Sequence, residues 1–448
     1  MKDNFFVKNK SIITFLILEI VALTAFNFGN ISYIFGIAGA VLAVVSFLFV
    51  VGINWRNNYL WILLPVGILL VISIFGSFNK YGTMFGESVG KISNISLLVS
   101  LPSFLLLGFA VRKMNDVKPK TVLFVVGGGL AAVTLFGFFS TLILYGPFYS
   151  LIYKNTPNYY YHGMPYDVTK EMFWLSGFEF TEVYIEYGSL FALLCGSFLP
   201  GLLFISPKKE RNDFIICALI GGIGVLTLLL IPNFKALILL VLTSSVAFII
   251  KYLKKHQLVK NIIAISFACI VLLGLVFFDL TLINAANGFK FSGTLERVFE
   301  NNYIMSKTLP ILEKVFRKEN GKFINLINFK SDADLVSIFS KESNIFEIEL
   351  LKEVGLFGTI LFIGFVLIMG YFVYRYLRKT NDSEMVKAPL VIMILNFFIF
   401  ESIYFTMSNA PHNDNAFSPF LRSSSLLVVL FVLGYTFIPF GEKEETHE

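Results

Sequence analysis

Long apolar runs separated by short polar turns dominate this chain. Residues 11–28, 31–53, 59–78, 92–111, 121–145, 181–205, 214–231, 233–250, 261–280, 354–374, 388–407 and 420–440 each read as a nearly unbroken hydrophobic stretch. Hydrocarbon offers no partner for backbone N–H and C=O groups, so an apolar run without alternating polarity predicts a helix that bonds to itself, not an open strand. A bilayer core is crossed by roughly 20 such residues, and the pattern therefore predicts an all-α polytopic membrane protein of about twelve transmembrane helices. Composition points the same way. Of 448 residues, 56% are hydrophobic and 15% charged, with a mean hydropathy of +0.75. Such a chain is too apolar for a surface that water must wet.

The polar interruptions predict orientation, because Lys and Arg concentrate in cytoplasmic loops. Lys2, Lys8 and Lys10, the turn at Arg56, and the clusters at 112–120, 208–211, 251–260 and 375–387 all fall on one side of this arrangement. Both termini are then expected to be cytoplasmic, in a multi-pass membrane protein. The first run has the outline of a signal peptide. No small-residue cleavage site follows it and a second apolar run begins almost at once, so a retained first helix is expected. The net charge of +6 is scattered in short clusters and not laid along one face, which argues against a nucleic-acid partner. Cys195, Cys217 and Cys269 lie inside apolar runs with no CxxC spacing and are expected to behave as small buried hydrophobes.

Two segments are too long to be turns, and both emerge on the outer face of what otherwise reads as a single membrane domain spanning 1–448. The loop at 146–180 carries Tyr149, Tyr153, Tyr159, Tyr160, Tyr161, Tyr166, Phe173 and Trp174. Such residues favour a membrane interface, and they also stack on sugar faces. The larger loop at 281–353 mixes charges with helical spacing at Leu295, Val298, Phe299, Ile304, Leu309, Ile311, Leu312 and Val315. Amphipathic helices over the membrane mouth are expected there. The stretch from Lys314 to Lys322, with Gly321, reads as a solvated turn.

Several chemistries lack their motifs: there is no Walker A loop, no GxGxxG after a strand, no HExxH, and no Asp-x-Asp pair on a cytoplasmic loop. Neither a metal nor a cofactor is called for. What remains is a set of outer charges. Lys235 follows Pro232 and Asn233 at the start of an apolar run, where a lysine either snorkels to the interface or contacts an anion. Arg297 opens the large loop and Arg422 begins the last run; arginine offers a fixed fork of donors suited to phosphate. Carboxylates gather at Glu179, Glu182 and Glu186, and again at Glu347, Glu349 and Glu353. Glu182 and Glu186 share a helical face, as do Glu349 and Glu353. Each either pairs at the interface or serves as a base whose pKa rises on burial. His162 and His412 complete the outer inventory, and His412 lies on the loop leading to Arg422.

The segment Ser343-Asn344-Ile345-Phe346-Glu347-Ile348-Glu349-Leu350-Leu351-Lys352-Glu353-Val354-Gly355-Leu356-Phe357-Gly358 resembles the bacterial O-antigen ligase and Wzy-type polysaccharide polymerase superfamily. Members show a His-Asn pair, an apolar stretch, then Glu-x-Gly-x-x-Gly opening a transmembrane helix after the large outer loop. Asn344, Glu353, Gly355 and Gly358 match. Ser343 stands where ligases usually carry histidine, which favours a divergent polymerase. Pro232-Asn233-Phe234-Lys235-Ala236-Leu237 is similar to the family's Ser-Arg-Ala-type start of a middle helix, and Arg297 to the arginine that opens its large loop.

The resemblance implies a multispanning, GT-C-like glycosyltransferase whose donor and acceptor are undecaprenyl-diphosphate-linked oligosaccharides. Lys235, Arg297 and Arg422 would bind the diphosphate, and Glu353, Glu182 or His412 would be the catalytic base. Implied partners are that lipid-linked oligosaccharide, membrane lipid, a chain-length regulator and a flippase. The rival expectation is a lipid-linked oligosaccharide flippase or a ligase-like glycan transferase. A flippase calls for broken helices and related halves, and the sequence shows neither an internal repeat nor such symmetry.

Overall fold

The computed structural model describes residue 41 and residues 57–78, 101–113, 117–145, 185–207, 210–230, 234–252, 318–319, 322–323, 346–407 and 424–438. A 3₁₀ turn, Asn57–Ile62, leads into α1 (Leu63–Phe78). Then come α2 (101–113), α3 (Pro119–Tyr145), α4 (Ile185–Gly196), a 3₁₀ helix (Leu199–Phe204), α5 (Arg211–Leu230) and α6 (Phe234–Tyr252). They are followed by α7 (Phe346–Lys379), α8 (Glu384–Met407) and α9 (Ser424–Tyr435). The described residues are thus overwhelmingly helical. The predicted runs at 11–28 and 261–280, the run at 31–53 apart from residue 41, the aromatic loop at 146–180 and the amphipathic segment 295–315 expected in the large loop lie outside the described residues.

Within the described residues, two helices are long and apolar enough to cross a membrane, Arg211–Leu229 and Leu356–Lys379. Their exposed faces are as apolar as their buried ones. On α7, Phe362, Phe365, Met369 and Phe372 are buried, while Phe357, Ile360, Ile363, Leu367, Tyr371 and Tyr374 are exposed. On α5, Ile215, Leu219, Leu226 and Leu229 are exposed in the same manner. A helix in water shows polar residues on its outer face; a helix apolar all round suits an apolar surrounding.

Three elements depart from the sequence expectation. α7 begins at Phe346 and not near 354, because residues 346–353 carry no proline or glycine and their Glu, Leu and Lys are good helix formers. It continues to Arg378 and Lys379, whose charges suit the negative end of the helix dipole. The run at 181–205 is not one helix: α4 tightens into 3₁₀ geometry after Ser197 and Phe198. Pro200 has no N–H to offer the carbonyl four residues back, so the α ladder cannot continue through it. Finally, β1 (Lys318–Glu319) and β2 (Lys322–Phe323) pair antiparallel, Lys318 with Phe323 and Glu319 with Lys322. The two residues between them are Asn320-Gly321, a strong hairpin dipeptide.

Helices meet where side chains are smallest. A Cβ at Gly108 of α2 would overlap the Phe431 carbonyl oxygen of α9, and a Cβ at Gly434 would overlap the Leu105 carbonyl oxygen in return. The two backbones are therefore in direct contact at a reciprocal glycine crossing. Gly224 of α5 lies against the backbone of Ala192 and Gly196 of α4. Gly221 leaves room for Leu199, and Gly201 for the ring of Pro389. Close approach at small residues is how helices associate where apolar surroundings remove the hydrophobic drive between them.

Around these crossings α4 packs on α3 and α5, α7 packs on α1, and α8 touches α4, α6, α7, α9 and the 3₁₀ helix. Phe437 stacks 4.0 Å from Phe372 and meets Phe109 edge-on at 5.6 Å, joining α2, α7 and the end of α9. Replacing Gly108 or Gly434 with leucine should force α2 from α9 at an overpacking cost of about 1–3 kcal/mol or more. The measurement is the melting temperature of detergent-purified protein. Gly128→Ala, where a new Cβ meets nothing within 4 Å, should leave it unchanged.

Candidate functional site

Helix direction defines two ends of the bundle. α2, α7 and α9 finish at one end, where Arg112, Tyr376 and Tyr435 meet Asp382. α3 and α5 begin at that same end, tied by Lys120 to Glu210 and Asp213. α8 also begins there, since its start follows Asp382 and Pro389 packs on Gly201. Of the basic clusters predicted to share one face, Arg112, Lys113, Lys118, Lys120, Arg211 and the segment 375–387 are thus at one end of the described structure.

At this basic end Arg112 is the centre of the polar contacts. Its Nη1 donates to Asp382 Oδ2 in an ion pair and to Tyr435 Oη at 3.3 Å. Tyr376 Oη donates to the same carboxylate oxygen at 2.7 Å. The guanidinium carbon lies 5.2 Å from the Tyr435 ring centre and 5.5 Å from that of Tyr376. Burial works to lower the pKa of Arg112, but Tyr435, Asp382 and Tyr376 outweigh it, so the proton is held more firmly than in water. The end of α7 is finished by Thr380 Oγ1 donating to the Tyr376 carbonyl and by the buried Lys387 Nζ donating to the Thr380 carbonyl. Orphan carbonyls of a helix end need such donors.

The second polar contact lies mid-bundle. Asn396, fully buried near the middle of α8, donates from Nδ2 to Ser197 Oγ at 2.9 Å, and Ser197 Oγ donates to the Leu193 carbonyl at 3.1 Å. Asn396 Oδ1 has no hydrogen-bond partner among the described residues. The contact falls where α4 gives way to the 3₁₀ helix. Cys195 and Cys217 are free and buried, as expected, and Cys195 Sγ is 3.3 Å from Thr134 Oγ1. Cys269 is outside the described residues.

The sequence-predicted site residues divide into two groups. Lys235 is the second residue of α6, and Glu353 lies in α7 just ahead of its membrane-length portion. α6 starts where α5 has run away from the basic end, and α7 runs toward that end. Lys235 and Glu353 therefore both belong to the opposite end. Glu182, Arg297, His412 and Arg422 lie outside the described residues. Among the described residues no three His, Cys, Asp or Glu side chains come together to hold a metal. Sequence reasoning used 112–120 and 375–387 only as topological markers and missed the Arg112–Asp382 pair. The available signals were Asp382 among basic residues and Asn396 inside an apolar run.

No family model, curated protein or solved structure matches this chain.

The Arg112–Asp382 ion pair is part-buried, so removing one partner leaves the other uncompensated at a cost of about 1–3 kcal/mol. Arg112→Ala and Asp382→Ala should each lower thermal stability strongly, and the double variant should lose less than the sum of the two. Additive losses in that cycle would show that the pair is not coupled. Lys120 titrates differently: its hydrogen bond to Asp213, opposed by burial and aided by Glu210, raises its pKa above 10.5. Its contribution is present in full below pH 10.5 and fades as pH rises through the folded-state value. The pair is half-exposed, so Lys120→Met should change stability by about 1 kcal/mol or less at pH 7. It should also flatten the alkaline fall in melting temperature.

Proposed function

We propose that this chain is an integral membrane glycosyltransferase of about twelve spans. It joins undecaprenyl-diphosphate-linked oligosaccharide repeat units into a cell-surface polysaccharide at the outer face of a bacterial cytoplasmic membrane. The observation that carries this reading is the position of the Glu353-x-Gly355-x-x-Gly358 motif. It falls at the opening of the membrane-length part of α7, where the resemblance to polysaccharide polymerases expects it. The basic end, with its Lys and Arg clusters, is assigned to the cytoplasm by the positive-inside rule, which puts Lys235 and Glu353 outside.

In the reaction an acceptor hydroxyl oxygen attacks the anomeric carbon of the donor sugar. The bond from that carbon to the diphosphate oxygen breaks, and the lipid diphosphate leaves with the electron pair. The hydroxyl proton passes to a base, for which Glu353, Glu182 and His412 are the candidates. Lys235, Arg297 and Arg422 are assigned to the charge that grows on the departing diphosphate. The competing reading is a lipid-linked oligosaccharide flippase. The change from α to 3₁₀ geometry at Ser197 and Phe198, bridged by buried Asn396, favours it, because transporters build their sites on interrupted helices.

Lys235→Ala or Arg297→Ala should abolish chain elongation, by about 10²-fold or more, while the protein still accumulates in the membrane. Purified protein given lipid-linked repeat units in detergent should yield longer glycans. Flipping has no meaning without a sealed bilayer, so an absence of elongation there, with transport across vesicles intact, would replace polymerase by flippase.

A further inference from the structure

The exposed apolar stripe of α7 does not end in solvent-facing polar residues of mixed sign; it ends in cations. Leu367, Tyr371 and Tyr374 are exposed along one face, and the next position one turn on is Arg378, followed by Lys379. The Arg378 guanidinium carbon is 4.9 Å from the Tyr374 ring centre, so the ring holds the side chain at the end of the stripe. A stacked guanidinium keeps its in-plane N–H donors available. The partial negative charge at the end of α7 opposes an anion there by about half a charge. Two whole cations, Arg378 and Lys379, exceed it. Of the carboxylates nearby, Asp382 is engaged by Arg112 and Tyr376, and Glu384 opens α8.

We infer that this face of α7 docks an anionic phospholipid, its acyl chains along Leu367 and Tyr371 and its phosphate on Arg378, with Lys379 beside it. Charge complementarity selects the headgroup: the site offers donors and positive charge, which a phosphate diester satisfies and which a quaternary ammonium in a zwitterionic headgroup partly repels. The apolar stripe selects a lipid over free phosphate, because only the lipid covers Leu367 and Tyr371. The inference rests on the reading of the chain as a membrane protein, but not on its being a polymerase.

The test uses the full chain, purified in detergent and exchanged into mixed micelles of phosphatidylglycerol and phosphatidylcholine, with bound lipid counted by native mass spectrometry. The wild type should retain phosphatidylglycerol in preference to phosphatidylcholine. Arg378→Gln with Lys379→Gln should reduce that retention about tenfold, whereas Lys118→Gln, an exposed cation at the same end but off the stripe, should not. Millimolar inorganic phosphate should fail to displace the lipid. Equal retention in the double variant, or displacement of the lipid by inorganic phosphate, would overturn the inference. Alkaline carbonate extraction separates its failure from that of the membrane reading: release of the chain from membranes sinks both, and unchanged lipid retention in a membrane-bound variant sinks this inference alone.

Discussion

Direct backbone contact between α2 and α9 at Gly108 and Gly434 governs much of the rest. With no side chain on either residue, the Phe431 and Leu105 carbonyls occupy the space a Cβ would take. That contact fixes the relative height of the two helices. Arg112 lies one turn beyond Gly108 and Tyr435 one residue beyond Gly434, so the same crossing brings the guanidinium onto the phenol. α7 then supplies Tyr376 and, through the turn that follows it, Asp382. The ion pair is a consequence of the glycine crossing and in turn holds the ends of three helices together.

The other glycine contacts extend the same logic across the bundle. Gly224 lets α5 approach α4, Gly221 admits Leu199, and Gly201 accepts Pro389 from α8. Helices that are apolar on every face gain little by exchanging lipid for one another, so dispersion at short range and a few buried polar contacts must hold them. The Asn396–Ser197 hydrogen bond is one such contact, and it falls where Pro200 prevents α4 from continuing as an α-helix. A local backbone interruption and a buried amide are thereby matched in space.

Polarity along the bundle axis divides the molecule. One end gathers Arg112, Lys120, Arg375, Arg378, Lys379 and Lys387, with Glu210, Asp213 and Asp382 partly balancing them. The opposite end holds the start of α6 with Lys235 and the Glu353 segment of α7. Placing structural ion pairs at one end and the family-like motif at the other separates the groups that hold the helices from those assigned to chemistry. The exposed stripe of α7 that ends in Tyr374 and Arg378 lies at the basic end but joins no helices among the described residues.

Hydrophobic patterning by itself located five of the described helices. The runs at 59–78, 121–145, 214–231, 233–250 and 388–407 correspond to α1, α3, α5, α6 and α8, because a long apolar run has only one self-satisfied backbone conformation available to it. Proline at 200 was legible too, though its effect on 181–205 was not anticipated. The order of basic clusters anticipated that Arg112, Lys120, Arg211 and the segment 375–387 share an end. What the pattern could not decide is which helix touches which, because helices apolar all round carry no marked inner face. Only the tertiary structure joined Arg112 to Asp382 across 270 residues of sequence and Asn396 to Ser197, since those pairings depend on the height and rotation of helices set at the glycine crossings.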